Sequence, residues 1–306
     1  MLLLNKNMPV AEELKDKLEI RLKNTKFSNC EKSKKILILN LMPNKVETEY
    51  HILRLLEEND KSVLIEPFFL KLDTHNYKNT DESYLEEFYI TLREARELEI
   101  DAAIITGAPL EKIRFEEVAY WEELKEIFKF TDNLKSTVFI CWGSQAALYY
   151  FHGIEKYEYS KKKFGVFQHK CETVSQLFQN ISKSDFKIPH SRYTYIKRED
   201  ILSEKELEIL VSDLEDEPVI IKGNNKVYIS GHMEYDKYNL RQEYFRDVKK
   251  GISIDKPKNY FLDDKTDNEP LFSWDAFSKE FYQNWIGRFC IYLMFCTDKF
   301  LGNTTV

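Results

Sequence analysis

Neither of the common glycine-rich phosphate loops, GxGxxG or GxxxxGK[ST], occurs in the chain, so nothing in it announces a dinucleotide or nucleoside-triphosphate cradle. There is no CxxC pair and no HxxxH spacing, and the six histidines fall at ordinary intervals, so no metal site and no permanently bound cofactor are expected. Long apolar runs are missing too. No stretch approaches the roughly 20 residues that cross a bilayer, and the opening Met1-Leu-Leu-Leu4 is too short for the core of a signal peptide. Basic charge does not dominate: 45 Lys and Arg stand against 52 Asp and Glu, a net charge of −7, which argues against a phosphate-tracking surface. Neither a nucleic acid nor a membrane is therefore an expected partner. Five unpaired-looking cysteines point to reduced thiols and a cytoplasmic location. Internal repeats, low-complexity tracts and flexible linkers are also absent, which favours one domain.

What is present is an alternation of short apolar runs with amphipathic stretches. Lys35–Met42 is a continuous apolar run stopped by Pro43, as expected of a strand buried on both faces. The pattern then predicts a helix over Thr48–Glu58, a strand over Ser62–Leu70, a helix over Leu85–Leu98 and a strand over Ile100–Thr106. A helix over Val118–Phe130 and a strand over Thr137–Ile140 follow. Such an order predicts an α/β fold with a doubly wound, mostly parallel sheet. Ligands bind such sheets at the carboxyl ends of the strands, where Pro43, Gly107 and Cys141 fall. The second half reads differently. Residues 151–198 look polar and irregular, strands resume at Leu207–Ser212, Val219–Lys222 and Lys226–Ser230, and helices are expected over Asn239–Lys250 and Ser278–Phe295. The last, rich in aromatics, suits a core or a subunit interface.

Cys141 is the most informative residue. It follows the run Ser136-Thr-Val-Phe-Ile140 and precedes Trp142-Gly-Ser-Gln-Ala-Ala147, so its thiol falls on a strand-to-helix turn. Such a turn lifts a nucleophile above the sheet edge, with the first helix amides directed at charge forming on an attacked carbonyl. A thiol at a strand end is otherwise an inert core group, so a base is required. His232 closes another strand, and Glu234 stands two residues on, on the same side if the segment is extended. An imidazole held by a carboxylate is the apparatus of cysteine covalent catalysis. Lys45, at a further strand end, could meet a phosphate or carboxylate in the same pocket.

Eight blocks then carry a resemblance. Leu39-Asn-Leu-Met-Pro-Asn-Lys45-Val-Glu-Thr-Glu49, Thr106-Gly-Ala-Pro-Leu110, Val118-Ala-Tyr-Trp121, Phe139-Ile-Cys-Trp-Gly-Ser-Gln-Ala-Ala147, Gly165-Val-Phe167, Pro189-His-Ser-Arg-Tyr193, Gly231-His-Met-Glu-Tyr-Asp236 and Glu243-Tyr-Phe-Arg-Asp247 resemble, in order, the homoserine O-acyltransferase family of methionine biosynthesis. The match runs from about residue 35 onward, which implies a single acyltransferase domain over 35–306 and an N-terminal extension, 1–34, packed on the core. The resemblance implies a class I glutamine-amidotransferase-like, flavodoxin-like fold and a homodimer. It also implies ping-pong transfer from an acyl-CoA co-substrate to L-homoserine through an acyl thioester on Cys141. His232 would act as base with Glu234 orienting it, and Lys162, Ser191 and Arg246 would bind homoserine. The Trp142 amide, with a donor from the Gly107-Ala108 turn, would form the oxyanion hole.

Glu111 follows the second block. In the family, glycine there goes with succinyl transfer and glutamate with acetyl, so the resemblance implies acetyl-CoA as donor. The electrostatics agree: a succinyl carboxylate about 4 Å from Glu111 would be repelled by roughly 1 kcal/mol in water and about 4 kcal/mol at an effective dielectric near 20. Succinyl transfer, a glutamine-hydrolysing amidotransferase on the same fold, and a non-catalytic binding or redox-sensing module are the alternatives.

Overall fold

The computed structural model of the chain describes residues 1–27, 33–56, 63–182 and 186–290. Glu58, Ser62, Cys30, Cys296 and the end of the expected last helix, through Phe295, lie outside the described residues. In chain order the first part comprises β1 (Leu2–Asn5), α1 (Pro9–Leu14), β2 (Ile20–Lys23), β3 (Lys34–Leu39), α2 (Lys45–Leu53) and β4 (Ile65–Leu70). Next come α3 (Glu82–Phe88), β5 (Tyr89–Ile90), α4 (Leu92–Arg96), β6 (Ala102–Ile105), α5 (Trp121–Thr131), β7 (Ser136–Ile140) and α6 (Trp142–His152). The rest is β8 (Tyr157–Cys171), β9 (Lys187–Tyr195), α7 (Arg198–Ser203), β10 (Leu207–Asp213), β11 (Pro218–Gly223), β12 (Lys226–Ile229), α8 (Asn239–Lys249) and α9 (Asp275–Cys290).

The strands form one sheet in the order β2-β1-β4-β3-β6-β7-β12-β11-β10-β8-β9, with β5 beside β4. Every pairing from β2 across to β12 is parallel, and every pairing from β12 to β9 is antiparallel. Because side chains alternate across a strand, each parallel strand feeds two cores. Ile36, Ile38, Ile104, Val138, Ile140 and Ile229 enter one. Leu37, Leu39, Ala103, Ile105, Phe139 and Tyr228 enter the other. That double burial is why these strands are near-continuous apolar runs rather than alternating ones. Leu2 and Leu4 of β1 are buried in the first core, so the first residues of the chain supply a strand of the same sheet.

Two expectations are corrected. The Leu85–Leu98 helix is interrupted: α3 stops, β5 adds two residues to the sheet, and α4 restarts under a capping box between Thr91 and Glu94. Tyr89 and Ile90 are both fully buried or nearly so, and their pairing to β4 outweighs the helical stripe read from the sequence. The region read as irregular holds β8 and β9, a long antiparallel pair reaching from Tyr157↔Tyr195 to Gln168↔Lys187. Its many lysines hid the strands, because one face of this pair meets polar groups rather than a core. The aromatic helix α9 contributes Phe277, Phe281, Tyr282, Trp285 and Ile286 to the first core, so it is core in the main.

Candidate functional site

β7 and β12 are parallel neighbours, with Phe139 opposite Tyr228 and Ile140 opposite Ile229, so the residues after each strand emerge side by side. Cys141 stands there at the N-cap of α6 with φ 50° and ψ −118°, a left-sided conformation that non-glycine residues rarely adopt and that costs about 1–3 kcal/mol. Its amide donates to Ile229 O at 2.7 Å, which pins the turn to the neighbouring strand. Gly143 lets the first turn of α6 settle on β6, since a Cβ there would lie 2.5 Å from Thr106 O. Gly107 closes over the thiol from the other side: a Cβ on it would lie 3.3 Å from Cys141 Cβ and 3.6 Å from His232 Cε1. The amides opening α6, that of Trp142 first, have no acceptor within the helix and sit beside this turn, and buried Ala108 follows Gly107.

His232 and Glu234 do meet: Nδ1 and Oε1 are 2.7 Å apart, and both side chains are buried. The route differs from the one expected. β12 ends at Ile229, and residues 232–235 form a turn closed by the Tyr235 amide donating to His232 O at 3.2 Å. The turn, rather than extended alternation, brings the two side chains together. Arg54 fixes this turn from below, donating to Glu234 O at 3.2 Å and Tyr235 O at 2.8 Å while pairing with Asp275. Burial works against a charge on His232, yet the nearby Cys141 sulfur and the Glu234 carboxylate together raise its pKa well above the usual imidazole range. Glu234 Oε2 has no hydrogen-bond partner among the described residues, so the carboxylate is held chiefly by the imidazole.

A cavity of about 340 Å³ opens next to this pair, lined by Met42, Pro43, His51, Glu234, Tyr235, Glu243 and Arg246 among others. The three residues expected to bind homoserine converge beside it. Lys162 on β8 lies 3.2 Å from Glu243 and 3.8 Å from Asp247. Ser191 on β9 donates to Glu243, and Arg246 Nε donates to Asp247 at 2.7 Å. Lys45 is brought to the site's edge but is buried at the start of α2, where Nζ donates to Asn40 O at 2.5 Å and Met42 O at 2.9 Å. Burial lowers its pKa to about 8. Glu111 does not line the main cavity. It borders a separate cleft of about 150 Å³ with Lys112, Arg114 and Lys156, and Lys156 Nζ holds the carbonyls of Glu111 and Ile113. Its neighbour Lys112 lies over the Tyr193 ring at 4.5 Å, and Lys162 approaches the same ring at 5.7 Å.

Several residues of this region were not singled out in sequence, although Arg192, Thr194 and Gln145 lie within or beside the matched blocks. Arg192 is fully buried, its guanidinium bonded to Glu217, to Thr194 O at 2.7 Å and to His190 Nδ1 at 3.0 Å. Thr194 Oγ1 donates to Gln145 of α6 at 2.8 Å, and Pro189 O accepts from the His232 amide at 2.8 Å. β9 thereby braces both the helix carrying Cys141 and the turn carrying His232. Position in the Pro-His-Ser-Arg-Tyr block or the Cys141 block could have flagged Arg192, Thr194 and Gln145, and nothing in the sequence flags Glu217. No group of three metal-ligating side chains occurs among the described residues, and no described helix is long and apolar enough to cross a membrane.

Fold and site together define a class: α/β proteins with a cysteine at a strand-to-helix turn beside a His–Glu pair. A glutamine amidotransferase from Thermotoga maritima has this shape, with a TM-score of 0.56 at 11% identity over 85% of this chain and 99% of that one. A glutamine amidotransferase from Methylobacillus flagellatus aligns with a TM-score of 0.53 at 9% identity over 84% and 95% of the two chains. At these identities the likeness is one of fold. The family itself comes from sequence: residues 1–295 match the model of the homoserine O-succinyltransferase family. Homoserine O-acetyltransferase 1 of Ilyobacter polytropus is 43% identical over 94% of this chain and 95% of its own length. Homoserine O-acetyltransferase of Acetivibrio thermocellus is 44% identical over 83% and 84%. The chain belongs to this family of homoserine acyltransferases, and it is an acyltransferase enzyme.

Proposed function

We propose that this enzyme transfers an acetyl group from acetyl-CoA to the side-chain hydroxyl of L-homoserine through an acyl thioester on Cys141, a step of methionine biosynthesis. The observation that carries the reading is the buried Cys141–His232–Glu234 arrangement, with His232 Nδ1 on Glu234 at 2.7 Å and Gly107 packed against both Cys141 and His232. The thiolate attacks the thioester carbonyl of acetyl-CoA, the carbonyl oxygen gathers negative charge near the Trp142 amide and the Gly107-Ala108 turn, and CoA leaves as its thiol with the proton of the His232 imidazolium, which leaves the imidazole neutral. The homoserine hydroxyl then attacks the acyl carbon while His232 takes its proton, and Cys141 is released as the thiolate. Glu234 keeps the imidazole in one orientation and balances its charge in both halves. Lys162, Ser191 and Arg246 hold the amino acid end of the acceptor. Arg246 suits the α-carboxylate because a planar guanidinium can grip two oxygens.

Acetyl is favoured over succinyl on two grounds. The relatives at 43–44% identity carry the acetyltransferase name, although the family model carries the succinyl one. Glutamate, not glycine, also stands at position 111, just after the Thr106–Leu110 block. The test is direct. The protein is incubated with acetyl-CoA or succinyl-CoA without homoserine and weighed by mass spectrometry. One acetyl group on Cys141, lost in Cys141→Ala, is the expected result, and an active protein that takes no adduct sinks the covalent path. Glu111→Gly is expected to gain succinyl transfer by at least roughly fivefold, since removing a like charge relieves one to a few kcal/mol. No gain removes Glu111 from donor choice.

A further inference from the structure

Homoserine is a zwitterion at neutral pH. The residues assigned to it so far, Lys162, Ser191 and Arg246, supply two cations and a hydroxyl, and no anionic acceptor for its α-ammonium. Two carboxylates stand among them, Glu243 and Asp247. Glu243 on α8 accepts through Oε2 from Ser191 Oγ and from Lys162 Nζ at 3.2 Å, and through Oε1 from Tyr235 OH at 2.6 Å. The Tyr235 ring stacks on the His232 imidazole with centroids 4.2 Å apart and planes 20° apart, so a single aromatic ring separates Glu243 from the proposed base. A carboxylate offers about four lone-pair positions. Described donors take two on Oε2 and one on Oε1, which leaves an acceptor position on Oε1. Glu243 lines the cavity with Glu234 and Arg246, and its side chain is 16% exposed. Asp247, the other carboxylate of the cluster, is already paired with Arg246 and Lys162 and does not line the cavity. Two cations and two carboxylates leave the cluster without net charge, which matches a zwitterion better than an anion.

We propose that Glu243 is the acceptor for the α-ammonium of the amino-acid substrate, and that it makes the site choose an amino acid over a hydroxy acid of the same length. The inference rests on the homoserine reading above. Tyr235, Ser191 and Lys162 orient the carboxylate so that its open lone pair faces the cavity, and Arg246 on the next turn of α8 receives the α-carboxylate. The substrate is thereby gripped at both charges, with its hydroxyl left toward His232.

The experiment separates the half-reactions. In Glu243→Gln, release of CoA from acetyl-CoA without acceptor measures the acylation half-reaction, in which no ammonium takes part, and is the reference against which the homoserine half-reaction of the same protein is read. The kcat/KM for homoserine falls roughly 10- to 100-fold, the range set by losing one hydrogen bond to a charged group. The preference for homoserine over 4-hydroxybutyrate falls by the same factor, and Glu243→Asp, which keeps the charge, recovers part of it. An unchanged preference, or a CoA-release rate that drops in step with homoserine turnover, overturns the proposal and leaves Glu243 as a brace between β8, β9 and α8. Should the parent release no CoA without acceptor, the acyl-enzyme path fails, while the homoserine-to-hydroxybutyrate ratio still decides the role of Glu243.

Discussion

The Cys141–His232 pair and the cluster around Glu243 lie side by side but are built in different ways. The pair stands on the parallel half of the sheet, where β7 and β12 run in register and release their next residues together. Backbone geometry does most of the placing there, through a strained turn at Cys141 and close approaches at Gly107 and Gly143. The cluster stands on the antiparallel half, where β8, β9 and α8 contribute side chains far apart in sequence that are held by mutual charge. Arg192, Glu217, Lys163 and Asp213 extend that polar network beneath it. One side of the site is fixed by main chain and apolar packing, the other by ion pairs and hydrogen bonds. The first should keep its stability and lose turnover when a side chain of the Cys141–His232–Glu234 set is changed. The second should respond to charge.

The largest effect is expected on the backbone-built side. Glu234→Gln keeps the side-chain shape but removes the charge that orients and balances His232, and turnover should fall by roughly 10³–10⁴-fold, by analogy with the orienting carboxylate of a serine triad. Circular dichroism and urea midpoint should be nearly unchanged. Activity within tenfold of the parent would break the claim that this carboxylate acts on the imidazole. On the charge-built side the loss should appear as stability. Glu217→Ala leaves the fully buried Arg192 guanidinium without its carboxylate, and removing one partner of a buried pair costs about 3–5 kcal/mol. Urea unfolding measures this, and a change under about 1 kcal/mol would mean that β9 is held by packing alone.

The smallest and most gradual effect is with pH. Burial above all, with Lys163 nearby, lowers the pKa of His169 to about 4, and His190, 3.0 Å away, is lowered in the same direction by burial and by Arg192. The unfolded chain, with histidines near 6.5, binds more protons than the folded one between those values. The stability gained by keeping His169 neutral is therefore complete above about pH 6.5 and is lost as pH falls toward 4, a total of roughly 3 kcal/mol. Thermal melts from about pH 7 to about pH 4.5 should show a steady fall that His169→Gln flattens. An equal slope in both proteins would assign the acid sensitivity elsewhere.

Legibility in the sequence followed the same division. The buried parallel strands were readable because burial on both faces demands continuous apolar residues, and Cys141, His232 and Glu234 were readable because they sit at the ends of such runs. β8 and β9 were not, since a strand pair facing a polar network has neither an apolar run nor a clean alternation. The same cause hid Arg192 and Glu243: each is an ordinary polar residue in sequence, and only its partners give it meaning. The α3–β5–α4 break was missed because two residues of strand, Tyr89 and Ile90, fit a helical stripe as well as a sheet edge.

By itself the sequence determined the order of strands and helices in the parallel half, the thiol at a strand-to-helix turn, and the family, because each is written in local runs or contiguous blocks. Tertiary structure alone decided that residues 232–235 turn so that His232 meets Glu234, that Lys45 is bound to backbone carbonyls beside the cavity, and that Glu243 gathers Ser191, Lys162 and Tyr235 around one carboxylate. Hydrogen bonds and ion pairs act only over a few ångströms, and residues separated by tens of positions come within that range only once the sheet has closed and the helices have packed upon it.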